Sequence, residues 1–357
     1  MHKSARWSAA LCALGMVVTL LVGVRPPAGS AAGKVVLYTA DGAETLYDSI
    51  LPTFEKNTGM KVEVFTSGTG AVASRATVEK DHPAADVLVL VPPFTQAVIQ
   101  DGIVDKYVPK GSEMVPAALK DPNGYWATFI GDFTDWGYNP QLVATPPDTY
   151  DDLLNPKYNG KIAYSSPVTA GDGFAVVNTA VALWGEEKAF AYLKRLEPLV
   201  KFHTKGTGFL DVLVSRGEIW LSNNDLQSLL SDAFNSNMTV KSVFLRSGPG
   251  KPRVTVPISY TMELAHNGPN PQGGRMLLDY LMSLDVQSKV PDAYGFPART
   301  DVTAGGPKLT IVRSYMKDVQ ILPVDYAKVL SFQKAWQARW TKEVQEGFNK
   351  QTGVTAP

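Results

Sequence analysis

Three short stretches carry small and polar residues in one arrangement. They are Ala40-Asp41-Gly42-Ala43, Ser67-Gly68-Thr69-Gly70 and Ser165-Ser166-Pro167-Val168-Thr169-Ala170-Gly171. Each follows a run that reads as a strand and precedes one that reads as a helix. Helix N-termini expose unpaired N–H groups and a partial positive charge. Glycine lets a backbone approach closely, and Ser and Thr hydroxyls add donors. Together these features suit a small tetrahedral oxyanion such as a phosphonate. Asp41, Asp172 and Asp225 stand at the mouths of the same loops, with Tyr38, Tyr260 and Trp136 as nearby aromatics. Carboxylates and aromatic faces are what an ammonium group requires. A ligand with an anion at one end and an ammonium at the other would use both sets. Bare phosphate would meet the carboxylates as unfavourable neighbours. A plainer reading of these residues stays open: turns and N-caps for the loops, caps for Asp41 and Asp225, core packing for the aromatics. Asp172 fits that reading least, because it sits in Gly171-Asp172-Gly173.

Other chemistries find little support. None of the loops matches G-x-x-x-x-G-K-[ST] or G-x-G-x-x-G, which disfavours nucleotides. A secreted hydrolase would need a nucleophile with its base, paired carboxylates or a metal. There is no G-x-S-x-G and no H-E-x-x-H. The acids Asp151-Asp152 are adjacent, and adjacent helical positions do not face each other. His82, His203 and His266 are scattered without metal-ligand spacing. The expectation is therefore a binding protein and not an enzyme, with no cofactor and no metal. The 357 residues are 45% hydrophobic and 19% charged, which excludes disorder and a multi-span membrane protein. The 34 Lys and Arg balance 34 Asp and Glu, so no basic surface argues for nucleic acid.

Residues 1–32 read as a secretory signal peptide: Lys3 and Arg6, an apolar run over 7–24, then Ser30-Ala31-Ala32 as a small-residue exit. The run is near the lower limit for a membrane span, and the exit favours cleavage and a periplasmic location. Cutting there removes Lys3, Arg6 and Arg25 and no acid, leaving 31 bases against 34 acids. The only cysteine, Cys12, lies in the apolar run without a lipobox before it, so the mature chain would carry no disulfide and no thiolate.

These loops need a scaffold, and the hydrophobic pattern supplies one. Strands are predicted at 34–39, 61–65 and 85–91, with helices at 43–57 and 71–80 and another opened by Pro92-Pro93. A second series holds strands at 161–164, 218–221, 241–245 and 254–258, with helices at 171–183, 186–196, 226–234, 276–284 and 324–348. Alternating strands and helices predict largely parallel sheets covered by helices. In such sheets ligands bind at strand C-termini.

The resemblance becomes specific at six places. They are Tyr38-Thr39-Ala40-Asp41-Gly42, Ser67-Gly68-Thr69-Gly70-Ala71-Val72, the TDWGYNP run at 134–140, the TYDDLLNPKYNGKIAY run at 149–164, Asn223-Asn224-Asp225-Leu226-Gln227, and the AYGFPAR run at 293–299. Over 33–284 the chain resembles the periplasmic solute-binding proteins of ABC importers, in the iron, thiamine and phosphonate branch. YTADG, TAGDG at 169–173 and N-D-L-Q look most like the 2-aminoethylphosphonate-binding members. Iron-binding relatives usually carry adjacent tyrosines in the second lobe. This chain has no Tyr-Tyr dipeptide, which would leave ferric iron short of anionic oxygens.

The resemblance implies an α/β fold of two lobes, the type II periplasmic binding protein fold. Each lobe would hold a mixed, mostly parallel sheet flanked by helices, with a hinge of two crossing strands. Lobe one would be 33–130 plus 263–357, lobe two 138–258, and the crossings 131–137 and 259–262. The expected ligand set is Tyr38, Ala40, Asp41, Ser67, Gly68, Thr69, Ser166, Thr169, Gly171, Asp172, Gly173, Asn224, Asp225 and Tyr260. The implied partners are an aminophosphonate and an ABC permease in the inner membrane, with the protein acting as a monomer. Ferric iron, or hydrolysis of phosphonates or phosphoesters, are the alternatives.

Overall fold

The computed structural model describes residues 33–303 and 306–347. The expected signal peptide, with Cys12, lies outside these residues. The chain begins with β1 (Lys34–Ala40), α1 (Glu44–Thr58), β2 (Lys61–Ser67), α2 (Thr69–Val78), β3 (Val87–Leu90), α3 (Phe94–Gln100), β4 (Val104–Asp105) and β5 (Ala127–Gly131). It continues with β6 (Thr134–Tyr138), β7 (Ile162–Ser165), α4 (Gly171–Trp184), α5 (Glu186–Leu196), β8 (Val200–Thr204), α6 (Leu210–Ser215), β9 (Leu221–Asp225), α7 (Leu226–Phe234) and β10 (Lys241–Val243). Last come β11 (Arg253–Thr255), β12 (Tyr260–Ala265), α8 (Pro271–Leu281), α9 (Leu284–Gln287), β13 (Phe296–Pro297), α10 (Gly306–Tyr315), β14 (Val319–Ile321) and α11 (Tyr326–Arg339).

Two mixed sheets divide these elements into two lobes. The first has the order β13-β5-β12-β3-β1-β2, with β4 beside β12. Strand β1 lies parallel to β2 and β3, and β12 is antiparallel to β3 and β5. The second sheet has the order β10-β6-β9-β7-β8. There β7 is parallel to β8 and β9, and β6 is antiparallel to β9 and β10. Strands covered on both faces read as continuous apolar runs, as in the fully buried VLVL of β3. Helix α1 shows the amphipathic alternative. Leu46, Tyr47, Ile50, Leu51 and Phe54 form its buried stripe, and Gly59 closes it at φ 73°.

The lobes are joined where β5 passes into β6 and where β11 leads to β12. These segments hydrogen-bond to each other: Thr134 N–H to Val256 O at 3.1 Å and Ile258 N–H to Asp132 O at 3.0 Å. The C-terminal residues differ from the expected grouping of 263–357 with lobe one. Strands β12 and β13 lie in the first sheet, but the segment from α10 onward bridges the lobes: α10 meets residues 290–293 and α7, α11 meets α3 and α4, and residues 340–345 meet α5. Leu309 and Val312 are buried, Val312 in the cluster that holds Phe244 and Tyr294. Trp340, 1% exposed, donates from Nε1 to the Tyr164 hydroxyl at 2.9 Å. Arg339 pairs with Glu186 and Glu187, each at 2.8 Å. These aromatic and ionic partners all belong to lobe two, and they draw the helix across.

Candidate functional site

Loops from both lobes meet at the strand C-termini. After β1, the Asp41 N–H donates to Ser67 O at 3.0 Å, tying this loop to the end of β2. Gly42 then turns at φ +100°, and an added Cβ would overlap the Tyr260 hydroxyl. That hydroxyl donates to the Asp41 carbonyl at 2.7 Å. The Asp41 side chain does not cap α1, whose N-cap is Ala43. It reaches lobe two instead, where Oδ2 accepts from Gly208 N–H at 3.2 Å. Burial raises its carboxyl, and N–H groups of Gly208 and Thr207 hold the rise back.

Asp172 occupies the first turn of α4, and its Oδ2 accepts from the Thr207 hydroxyl at 2.9 Å. Among the described residues its Oδ1 has no hydrogen-bond partner. Burial pushes this carboxyl well above the ordinary range, and the charge of Asp225 adds to the effect. Asp225 ends β9 and caps α7, with Oδ1 accepting from Ser228 N–H at 2.7 Å. The charge of Asp132 acts on it, and the two carboxyls accept from adjacent N–H groups of α7, Gln227 and Ser228. The Asp132 Oδ1 accepts from Phe133 N–H at 2.7 Å and Gln227 N–H at 3.1 Å. Asp132 is 1% exposed and Asp225 3%, so burial raises both, with the charge of Asp132 adding to the rise of Asp225 and that of Asp172 to the rise of Asp132. Tyr260 feels the charges of Asp225, Asp132, Asp172 and Asp41 together, and with burial they raise its hydroxyl well above the ordinary range.

The remaining expected residues divide. Gly68 and Thr169 do come together, but backbone to backbone. Gly70 N–H donates to Thr169 O at 2.9 Å, and a Cβ on Gly68 would lie 2.7 Å from Lys205 O. The hydroxyls expected to grip an anion are used internally. That of Thr69 accepts from Val91 N–H at 3.0 Å, and that of Thr169 donates to Lys205 O at 2.7 Å. Ser166 Oγ accepts from Val168 N–H at 3.2 Å. Gly171 packs on Val91 and Thr69 of the opposite lobe, and Gly173 packs on Ser165 and Ser166. Ala40 is core, 3% exposed.

Two residues lie elsewhere. Tyr38 points to the α2 face of β1, where its hydroxyl donates to Glu79 at 3.0 Å and Arg75 covers its ring at 4.5 Å. Strand alternation explains this: Tyr38 and Asp41 are separated by an odd number of positions. Asn224 turns away from the cleft to donate to Asp211 at 2.8 Å. Its neighbour Asn223 holds the cleft network instead, accepting from Ser165 N–H at 2.9 Å. Trp136 is core, as its plainer reading allowed.

Sequence reasoning missed Asp132 and the loop around Thr207. That loop repeats the design of the other three: the end of β8, then Gly206-Thr207-Gly208, then α6. Asp132 carried no such signal. Among the described residues no three His, Cys, Asp or Glu side chains converge as a bound metal ion requires. None of the described helices is long and apolar enough to cross a membrane.

Comparison with known proteins agrees with this architecture. A Salmonella typhimurium protein, provisionally named a 2-aminoethylphosphonate-binding periplasmic protein, is 31% identical over 304 residues, covering 85% of this chain and 88% of that one. Among solved structures, the periplasmic binding protein P5PA superimposes with a TM-score of 0.77 at 22% identity, covering 87% of this chain and 99% of that one. AfuA from Actinobacillus pleuropneumoniae, with fructose-6-phosphate bound, gives 0.75 at 18%, covering 88% and 99%. Residues 35–297 match the family model described as bacterial extracellular solute-binding protein, and it is to this family that the chain belongs.

Proposed function

We propose that the cleft captures 2-aminoethylphosphonate, or a close aminophosphonate, in the periplasm for an ABC importer. The observation that carries this reading is the set of four acids, Asp41, Asp132, Asp172 and Asp225, whose charges all act on Tyr260, with Asp132 and Asp225 almost wholly buried. Their strongest electrostatic neighbours are other acids. A buried group of this kind is costly unless a ligand brings positive charge. An ammonium does so and can donate three hydrogen bonds.

The anionic end is assigned to the first turn of α4, residues 171–173, where N–H groups and the helix dipole favour an anion. Ser67 faces this turn from lobe one in the proposal. The Gly68–Thr169 contact leaves no room for a tetrahedral group between those two residues, so the earlier assignment to Thr69 and Thr169 side chains is narrowed. The 31%-identical relative is named for this ligand, which agrees with the proposal. Solute-binding proteins of this family bind a small molecule and work with a permease. The cleaved leader at residues 1–32 and a hinge at the paired segments 131–134 and 256–259 belong to the same proposal.

Thermal unfolding against a ligand panel tests it, because a ligand bound only by the native state raises the melting temperature by mass action. The panel holds 2-aminoethylphosphonate, ethylphosphonate, phosphate, fructose-6-phosphate, thiamine and ferric citrate. The largest rise is expected for 2-aminoethylphosphonate. A larger rise with ferric citrate, thiamine or fructose-6-phosphate would overturn the reading.

A further inference from the structure

Asp132 lies at the hinge crossing between β5 and β6, and Asp225 closes β9 on the opposite side of the same junction. Their carboxyls accept from consecutive N–H groups at the start of α7, Gln227 for Asp132 at 3.1 Å and Ser228 for Asp225 at 2.7 Å, which sets the two acids side by side, and two buried carboxyls held together ionise both only at high cost. One oxygen of each is committed to backbone donors: Phe133 and Gln227 N–H on Asp132 Oδ1, and Ser228 N–H on Asp225 Oδ1. Asp132 Oδ2 meets no N–H or O–H donor among the described residues. Both side chains are almost wholly buried, so water does not dissipate the repulsion.

We infer that Asp132 and Asp225 form the ammonium subsite and hold one shared proton, which leaves to solvent when the ligand's ammonium takes its place. This rests on the proposed aminophosphonate reading and adds to it a residue, Asp132, and a linkage between capture and pH. The balance is simple. The free protein holds one proton and a single negative charge between the two groups. The complex holds two carboxylates against an ammonium, and the proton passes to the buffer.

The other groups acting on the pair make the proton harder to lose in the free protein. Asp172 from α4 acts on Asp132, and Asp135 from β6 acts on Asp225. Asp41 from the β1 loop acts on Asp172, Asp211 from α6 feels Asp225, and the Tyr260 phenol from β12 feels the whole set. Tyr326 of α11 faces Asp172. These groups are acidic or phenolic, so the charge that displaces the proton must come with the ligand. Burial and this acid field both hold the pair above the ordinary carboxyl range.

The experiment is titration calorimetry at pH 6 in buffers of different ionisation enthalpy, with 2-aminoethylphosphonate and with ethylphosphonate. The second shares the phosphonate ionisation and lacks the amine. The expected result is about one more proton released per 2-aminoethylphosphonate than per ethylphosphonate, with its affinity rising up to about tenfold per pH unit below neutrality. Asp132→Asn should remove the extra proton and flatten that pH dependence. Should Asp132→Asn not fold, the wild-type proton count and pH series decide alone. Binding of both ligands with equal proton release would overturn the inference while leaving the aminophosphonate reading intact. Absence of binding by 2-aminoethylphosphonate would overturn the reading itself, and the inference with it.

Discussion

Glu263 offers a test of the electrostatic reasoning outside the cleft. It lies in β12, paired in register with Leu88 of β3, and is 1% exposed. Burial raises its carboxyl from 4.5 to about 8, against a lowering contribution from Thr261. At about 1.4 kcal/mol per pH unit, that gap corresponds to roughly 5 kcal/mol, an upper bound given residual water access. The sign follows from proton counts. Between pH 4.5 and 8 the folded form keeps the proton and the unfolded chain loses it. Unfolding therefore releases a proton, and stability falls as pH rises through this window. The neutral amide in Glu263→Gln has the same shape and no such linkage. Urea unfolding from pH 4 to pH 9 should show the variant gaining on the wild type as pH rises, reaching roughly 2–5 kcal/mol above pH 8. The two should converge near pH 4. The cleft acids add their own pH dependence to both proteins, so the difference between them isolates Glu263. A difference that stays constant with pH would refute the reasoning.

Other consequences concern the cleft and its frame. Asp225→Asn should weaken 2-aminoethylphosphonate by roughly 3–5 kcal/mol and leave ethylphosphonate nearly unchanged, as read by calorimetry, because a buried ammonium loses its counter-charge, whereas Asp41→Asn, outside the pair that holds the ammonium, should cost less. Equal losses for both ligands would reduce these acids to caps and loop braces. Gly42→Ala should cost roughly 1–3 kcal/mol in thermal unfolding, since Gly42 sits at φ +100° and the added methyl meets the Tyr260 hydroxyl. Tyr260→Phe in the same background should recover part of that loss by removing the hydroxyl that the methyl strikes. Trp340→Ala should lower stability by roughly 3–5 kcal/mol, because it empties a fully buried site and leaves the Tyr164 hydroxyl without its indole donor.

Periodicity made much of the frame legible. The apolar runs of β1 and β3 and the stripe of α1 are found where the pattern puts them, because both strands are buried on two faces and α1 on one. Strand β9 was displaced in prediction from 221–225 to 218–221. Its sequence LSNND is polar, yet all five residues are buried, since the sheet ends in a network where Asn223 and Asn224 serve Ser165 and Asp211. Strand β8 and the six-residue α6 went unread for a related reason: VKFHT is only half-buried and the helix is too short for a period. With them went the Thr207 loop. Helix α8 starts at Pro271, five residues before its predicted start, because Asn270 caps it and Gly273 and Gly274 pack inward.

The acids of the site were partly legible. Asp41, Asp172 and Asp225 follow recognisable strand ends and small residues, and the structure gathers them. Asp132 stands in a crossing segment with no local pattern, and only tertiary pairing brings it to Asp225. The hydroxyls of Thr69 and Thr169 illustrate the opposite case. Their type suits an anion, but Val91 N–H and Lys205 O claim them, and sequence spacing carries no information about those partners.

A crystal structure of the protein with 2-aminoethylphosphonate tests the central claim most directly. The amine nitrogen is expected about 3 Å from carboxyl oxygens of both Asp132 and Asp225, with the phosphonate at the first turn of α4. An amine pointing to solvent, or a phosphonate seated among the four carboxyls, would contradict it.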